Sequence, residues 1–351
     1  MDYVKLGATG LTVSRVCLGC LGFGSPDWMP WILDEAASRP VLKAAVEAGV
    51  TFFDTADMYS LGVGEQVVGR VLGEMVPRDE IVIASKVFFP QTHAPGEGGL
   101  SRKHIMKAVD RSLRNLGTDY IDLYQIHRFD YDTPIEETLE ALNDVVRAGK
   151  VRYIGASSMR AWQFSKMIHA SRRNGWARFV SMQPQYSLIH REEEREMLPL
   201  CLDEGVGVIP WGPLAGGFLT GRYTRDGRAG SARDLHNQTV GRGAYGDADF
   251  DVAEALASVA QARGATPAAV ALAWMMTNPA VTAPVIGANK PGHLQDALAA
   301  LDLPLSREEI DTLERPYRPK AVTGLGREDL VRVVQGHRAT IPPAPPTAQP
   351  A

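Results

Sequence analysis

The chain has 351 residues, 45% of them apolar and 22% charged, with a formal net charge of −4. Such a chain buries a sizeable core, and its length suits two domains or one barrel with long loops. The slight acidity excludes a phosphate-tracking surface, so nucleic acid is not an expected partner, and no stretch reaches the roughly 18–20 uninterrupted apolar residues of a membrane span.

The opening residues Met1–Leu6 lack a basic-then-apolar signal pattern, which predicts a cytoplasmic protein. Residues 6–13, with Gly7 and Thr9-Gly10 as turn formers, predict a hairpin that caps the bottom of the fold. Short apolar runs then alternate with amphipathic stretches. Strands are expected at 15–18, 51–53, 81–84, 121–126, 151–155, 179–183, 206–210 and 282–286. Helices are expected at 34–48, 64–74, 101–116, 135–148, 161–173, 192–203, 251–262 and 267–276. Gly117 and Gly149 stand just past two of these helices, a common C-terminal signal. The acidic run Glu192-Glu193-Glu194 reads as a solvated helical start, suited to the N-terminal dipole.

Strands buried on both faces read as continuous apolar runs, as these do. Eight strand–helix units predict an α/β fold, a closed (β/α)8 TIM barrel with a hairpin cap and long loops on its C-terminal face. The competitor is an open doubly wound sheet. It calls for G-x-G-x-x-G after a strand, or a G-x-x-x-x-G-K-[ST] loop, and neither occurs.

The barrel domain is expected over residues 1–320, with 321–351 a Pro-rich C-terminal extension that is disordered from about 341. The Gly-rich segment 222–249, containing Gly241-Arg242-Gly243, is long enough to be functional or disordered. Cys17 and Cys20 form a C-x-x-C with no second Cys or His pair nearby, so both are expected to be small buried residues and no metal site is expected. Asn237-Gln238-Thr239 is a glycosylation sequon without a secretion signal to give it meaning. Nothing in the sequence specifies an oligomeric state.

Barrel enzymes place their chemistry at the C-terminal ends of strands. Those ends carry Asp54, Lys86 and His127, with Tyr59 in the loop after Asp54. Such a set suits proton donation to a carbonyl oxygen. A free Tyr, with a pKa near 10, is a poor acid at neutral pH, and a neighbouring ammonium is expected to lower it. Asp54 is the expected counter-charge for Lys86, and His127 the group that orients a substrate oxygen.

Asp54-Thr-Ala-Asp-Met-Tyr59 resembles the D-T-A-x-x-Y signature of the aldo-keto reductases, and the likeness runs over roughly residues 1–320. Further matches are Ser85-Lys86, Tyr124-Gln-Ile-His127, Ile154-Gly-Ala-Ser157-Ser158, Gln183-Pro-Gln-Tyr186 and Trp211-Gly-Pro-Leu-Ala-Gly-Gly-Phe-Leu-Thr-Gly221. Trp28–Glu35, Lys86–Pro90 and Glu314-Arg-Pro-Tyr317 look most like the aryl-alcohol dehydrogenase-like branch.

The resemblance implies a catalytic tetrad of Asp54, Tyr59, Lys86 and His127 and reduction of aldehydes or ketones with NADPH, which becomes NADP+. It implies that Ser157, Ser158 and Gln183 hold the nicotinamide carboxamide and that its ring stacks on Trp211. Ser158 stands where Asn is common. The diphosphate is expected along Gly212, Pro213, Leu214, Gly216, Gly217 and Leu219, and the adenosine phosphate at Gly287, Asn289, Lys290, His293 and Asp296. Trp28, Trp31, Phe88 and Phe89 line an aromatic substrate pocket or pack against loop prolines. The potassium-channel β subunits resemble the same family and use this barrel as a regulatory module, so an NADPH-binding redox sensor is the alternative reading.

Overall fold

The computed structural model describes residues 1–225 and 245–343, together with the backbone of 227–228. The sequon, Gly241–Gly243 and residues 344–351 of the tail lie outside the described residues.

A short antiparallel hairpin, β1 (Tyr3–Lys5) and β2 (Thr12–Ser14), opens the chain. The expected 6–13 span holds the connection between these strands, residues 6–11, and the first two residues of β2. The parallel sheet beyond it is built from β3 (Cys17–Gly19), β4 (Phe52–Asp54), β5 (Val82–Val87), β6 (Ile121–Ile126), β7 (Val151–Ser157), β8 (Phe179–Gln183) and β9 (Gly207–Val208). Past the two-stranded ribbon of β10 (Tyr223–Thr224) and β11 (Gly227–Arg228), the strand β12 (Val285–Gly287) pairs with β3. Bridges Val208–Val281 and Trp211–Val285 join the last edge to the first. There the Thr282 N–H donates to the Val208 carbonyl at 2.7 Å and the Val285 N–H to that of Pro210 at 2.8 Å. The sheet is closed, and the fold is the expected (β/α)8 barrel.

Side chains alternate faces along a strand. Phe52, Val82, Ala84, Leu123, Ile209, Cys17 and Val285 pack together as the barrel interior, with Leu6 and Val13 of the hairpin region plugging its base. Continuing the same alternation upward brings Asp54, Lys86, Gln125, His127, Ser157, Gln183 and Trp211 to the inner face at the C-terminal end. The register agrees, since Asp54 pairs with Gly19 on one side and Ala84 on the other.

The outer layer comprises α1 (Glu35–Glu47), α2 (Val63–Gly73), α3 (Arg102–Leu116), α4 (Ile135–Arg147), α5 (Ala161–Asn174), α6 (Met197–Glu204), α7 (Asp247–Arg263) and α8 (Pro267–Met276). Helix ends follow local chemistry. The Ser101 hydroxyl accepts the His104 N–H at the start of α3, and Gly117 closes that helix in a left-handed conformation with φ 63°. The expected helix at 192–203 is instead a single 3₁₀ turn, Glu192–Glu194, followed by α6. Glu192 is buried rather than solvated, because its carboxylate accepts from the Tyr317 hydroxyl and the Lys320 N–H and so cannot serve a regular first turn. The first barrel strand begins at Cys17 rather than Arg15, whose guanidinium turns away to the carbonyls of Met276, Val281 and Thr282.

Three further helices, α9 (Pro291–Leu301), α10 (Arg307–Glu314) and α11 (Arg327–Arg338), follow β12. The segment around α11 lies on the loops that leave β3, β5 and β6. The Trp28 indole N–H donates to the Thr340 hydroxyl at 3.0 Å, the His337 Nε2–H to the Pro90 carbonyl at 2.8 Å, and the Tyr131 hydroxyl to the Leu325 carbonyl at 2.7 Å. Through these bonds the 321–343 region forms a wall at the barrel mouth. Cys17 and Cys20 are buried free thiols, as expected. Among the described residues, no helix is long and apolar enough to cross a membrane.

Candidate active site

Lys86 is fully buried, with Asp54 only 2% and Tyr59 9% exposed. Its ammonium donates to Asp54 Oδ2 at 2.5 Å, to the Thr55 carbonyl at 2.8 Å and to the Tyr59 hydroxyl oxygen at 3.3 Å. The other oxygen of Asp54 accepts from Gln125 Nε2 and Gln183 Nε2, each at 2.9 Å. Asp54 is therefore held from three strands. The His127 ring meets the Tyr59 ring edge-on at 6.1 Å between centroids. The four expected residues converge. Gln125 was not anticipated, although it lies two residues before His127 on the same strand face.

Burial alone lowers the Lys86 pKa, but Asp54 and Tyr59 outweigh it and hold the ammonium above its ordinary range. For Tyr59 the balance goes the other way from expectation. Burial pushes the phenol above 10, and the nearby Lys86, although it opposes this, does not reverse it. The ammonium is visible in the sequence, whereas the desolvation that overrides it is not.

Beside this group, the Ser157 hydroxyl donates to the Gln183 carbonyl at 2.8 Å and lies 3.2 Å from the Ser158 hydroxyl. Ser158 has left-handed backbone, φ 50°, and its hydroxyl accepts the Trp211 indole N–H at 3.0 Å. That bond fixes the half-buried Trp211 ring at the rim. The amide N–H of Gln183 is turned to Asp54, so this side chain links the tetrad to the Ser157–Ser158 corner.

After Trp211 the chain makes tight left-handed turns at Gly212 (φ 69°), Gly216 (φ 68°) and Gly217 (φ 99°), with Pro213 buried and Leu214 half-buried. Leu219 is buried in the core, so only its backbone faces this loop. Gly287 is exposed; Asn289 packs over Gly22, and exposed Lys290 caps α9. Asp296 accepts from the Thr266 hydroxyl at 2.8 Å, a bond between α9 and the start of α8. Burial, then the charges of Arg222 and Lys290, lower the His293 pKa, so three basic residues gather here. Arg222 was not singled out from sequence; it also packs against Gly217.

The aromatic candidates divide. Phe89 is buried, edge-on to His127 at 5.1 Å. Phe88, also buried, packs against Phe89 at 5.3 Å. Trp28 and Trp31 are half-buried, and Trp28 is bound to Thr340.

A model of the aldo/keto reductase family matches residues 15–318. The chain belongs to the aldo/keto reductases. It is 43% identical over 340 residues to versiconal hemiacetal acetate reductase of Aspergillus parasiticus, a likeness covering 92% of this chain and 98% of that protein. It is 42% identical over 351 residues to an aldo-keto reductase of Metarhizium robertsii, covering 92% and 93%. It is also 42% identical over 347 residues to a provisional aryl-alcohol dehydrogenase of Schizosaccharomyces pombe, covering 92% and 97%. Carbonyl reduction with a nicotinamide cofactor is the chemistry of this family.

Proposed function

We propose that this aldo/keto reductase reduces aldehydes or ketones, aromatic ones above all, with NADPH as hydride source and Tyr59 as proton donor. The observation that carries this reading is the buried Lys86 ammonium between the Asp54 carboxylate and the Tyr59 hydroxyl. Bound nicotinamide supplies the hydride that the carbonyl carbon accepts. The developing alkoxide takes its proton from Tyr59, so the substrate gains one hydride and one proton and leaves as an alcohol. Burial keeps the phenol protonated until that stronger base meets it. Lys86 then stabilises the tyrosinate, and Asp54, pinned by Gln125 and Gln183, keeps the ammonium charged. His127 orients the substrate oxygen at the same mouth.

The residues suit NADPH. The left-handed glycines 212, 216 and 217 present backbone, and a Cβ at Gly212 meets none of the described residues within 4 Å, which leaves room for a diphosphate beside them. Arg222 and Lys290 are cations suited to a 2′-phosphate, and the imidazole of His293, kept uncharged by burial and by those two charges, lies beside them. Ser157, Ser158 and Gln183 suit the carboxamide, and Trp211 the ring face. The aromatic preference rests on Phe89 beside His127 and on a relative named for an aryl alcohol. Steady oxidation of NADPH with a panel of substituted benzaldehydes tests the reading. Tight NADPH binding with no turnover of any carbonyl contradicts it and favours a sensor.

A further inference from the structure

A second set of ionisable residues is buried behind the Tyr59 segment, between α2, α3 and β5. Glu65 of α2 accepts from the Ser85 hydroxyl at 2.6 Å and from Asn115 Nδ2 at 2.9 Å. Among the described residues, fully buried Asp57 has no side-chain donor within hydrogen-bond distance of either carboxylate oxygen. Its nearest cation is Arg111 of α3, with Nη2 3.7 Å from Oδ2. Arg111 is itself anchored by Glu97 at 3.4 Å, and Lys107 pairs with the same glutamate. Burial and the neighbouring Glu65 push the Asp57 carboxyl well up, with Arg111 and the Met58 N–H opposing.

None of these side chains bonds to Asp54, Lys86 or Tyr59. Yet Asp57 lies only two residues before Tyr59, and its N–H donates to the Lys86 carbonyl at 3.3 Å. On the other side of Tyr59 the backbone is strained. Ser60 (φ 49°) and Leu61 (φ 53°) are left-handed in succession, a conformation L side chains rarely adopt, before Gly62 (φ 93°), which adopts it freely. A segment strained on one flank relaxes unless its other flank is anchored, and relaxation lengthens the 3.3 Å contact between the phenol and Lys86.

We propose that Asp57 is a positioning residue: its buried contact with Arg111 ties the Tyr59 segment to α3 and keeps the phenol within reach of Lys86. The proposal rests on the reading of Tyr59 as proton donor, so one readout must be independent of turnover. Tyr59 can be followed in full-length protein labelled at the tyrosine ring carbon, with its resonance assigned through Y59F. In Asp57→Asn and Arg111→Met the Tyr59 resonance moves in the same direction. The kcat falls roughly 10- to 100-fold, the order for a reacting group misplaced by about an ångström, with NADPH affinity within about twofold. The double variant is no worse than either single one, and Arg111→Lys, which keeps the charge, recovers most of kcat.

An unmoved Tyr59 resonance in folded D57N overturns the proposal, as do losses that multiply in the double variant. A moved resonance with unchanged kcat upholds the positioning and contradicts Tyr59 as donor. If D57N does not fold, R111M carries the same readouts.

Discussion

The Phe89 ring stands edge-on to the His127 imidazole with centroids 5.1 Å apart, and its neighbour on α11 is His337 at 5.3 Å. One buried ring therefore joins the catalytic end of the barrel to the C-terminal wall. Phe89 thus directly adjoins a tetrad member.

Replacing Phe89 by Leu keeps most of its volume and removes the ring. The advantage of substituted benzaldehydes over short aliphatic aldehydes in kcat/KM should then shrink about two- to tenfold, matching roughly 0.5–1.5 kcal/mol for an aromatic contact. NADPH affinity should not change. A lower melting temperature with unaltered selectivity shows instead that Phe89 only packs the loops, and leaves the substrate class without its structural support.

Lys290 is exposed at the start of α9, and Arg222 and His293 share its surroundings. Changing Lys290 to Met should weaken NADPH binding by about 1–3 kcal/mol, the range for a charge-assisted hydrogen bond, and leave NADH nearly untouched. Arg222→Met should act in the same direction. Titration showing equal losses for both cofactors removes this cluster from 2′-phosphate recognition.

Because burial raises the Tyr59 pKa, the phenol keeps its proton well into alkaline solution. The donor is the protonated form, so kcat for reduction should stay level from neutral pH to about 10, the ordinary value for tyrosine, and decline only beyond it. Proton transfer governed by an ammonium-lowered phenol gives a decline that begins near pH 8, roughly two units below that ordinary value. A pH profile of kcat at saturating NADPH and substrate separates the two.

Much of this site was legible because strand alternation and strand ends are written locally. Asp54, Lys86 and His127 end three successive barrel strands, and period-two alternation brings them to one lumen. The same alternation carried Gln125, which was passed over because an amide has no distinctive chemistry until it is seen holding Asp54. What sequence did not disclose depends on distance and solvent. The sign of the Tyr59 shift comes from burial, which no spacing reports. Arg222, from a Gly-rich stretch, comes close enough across the fold for its charge to act on His293. Glu192 looked like a solvated charge until Tyr317, 125 residues away, was found donating to it. The role of α11 as a wall depends on single bonds such as that from His337 to the Pro90 carbonyl.

The central claim is that the hydroxyl of Tyr59, 3.3 Å from the Lys86 ammonium, gives the carbonyl oxygen its proton. The most direct test is kcat for an aromatic aldehyde with Tyr59→Phe, measured beside NADPH affinity on the same preparation. The ring and its packing remain, and only the hydroxyl with its proton is removed. The predicted result is a loss of roughly 10²- to 10⁴-fold in kcat, the usual contribution of a general acid, with NADPH binding nearly intact. A Y59F enzyme that keeps more than about half of the wild-type kcat, against that expected loss, contradicts the claim and assigns the proton to another donor.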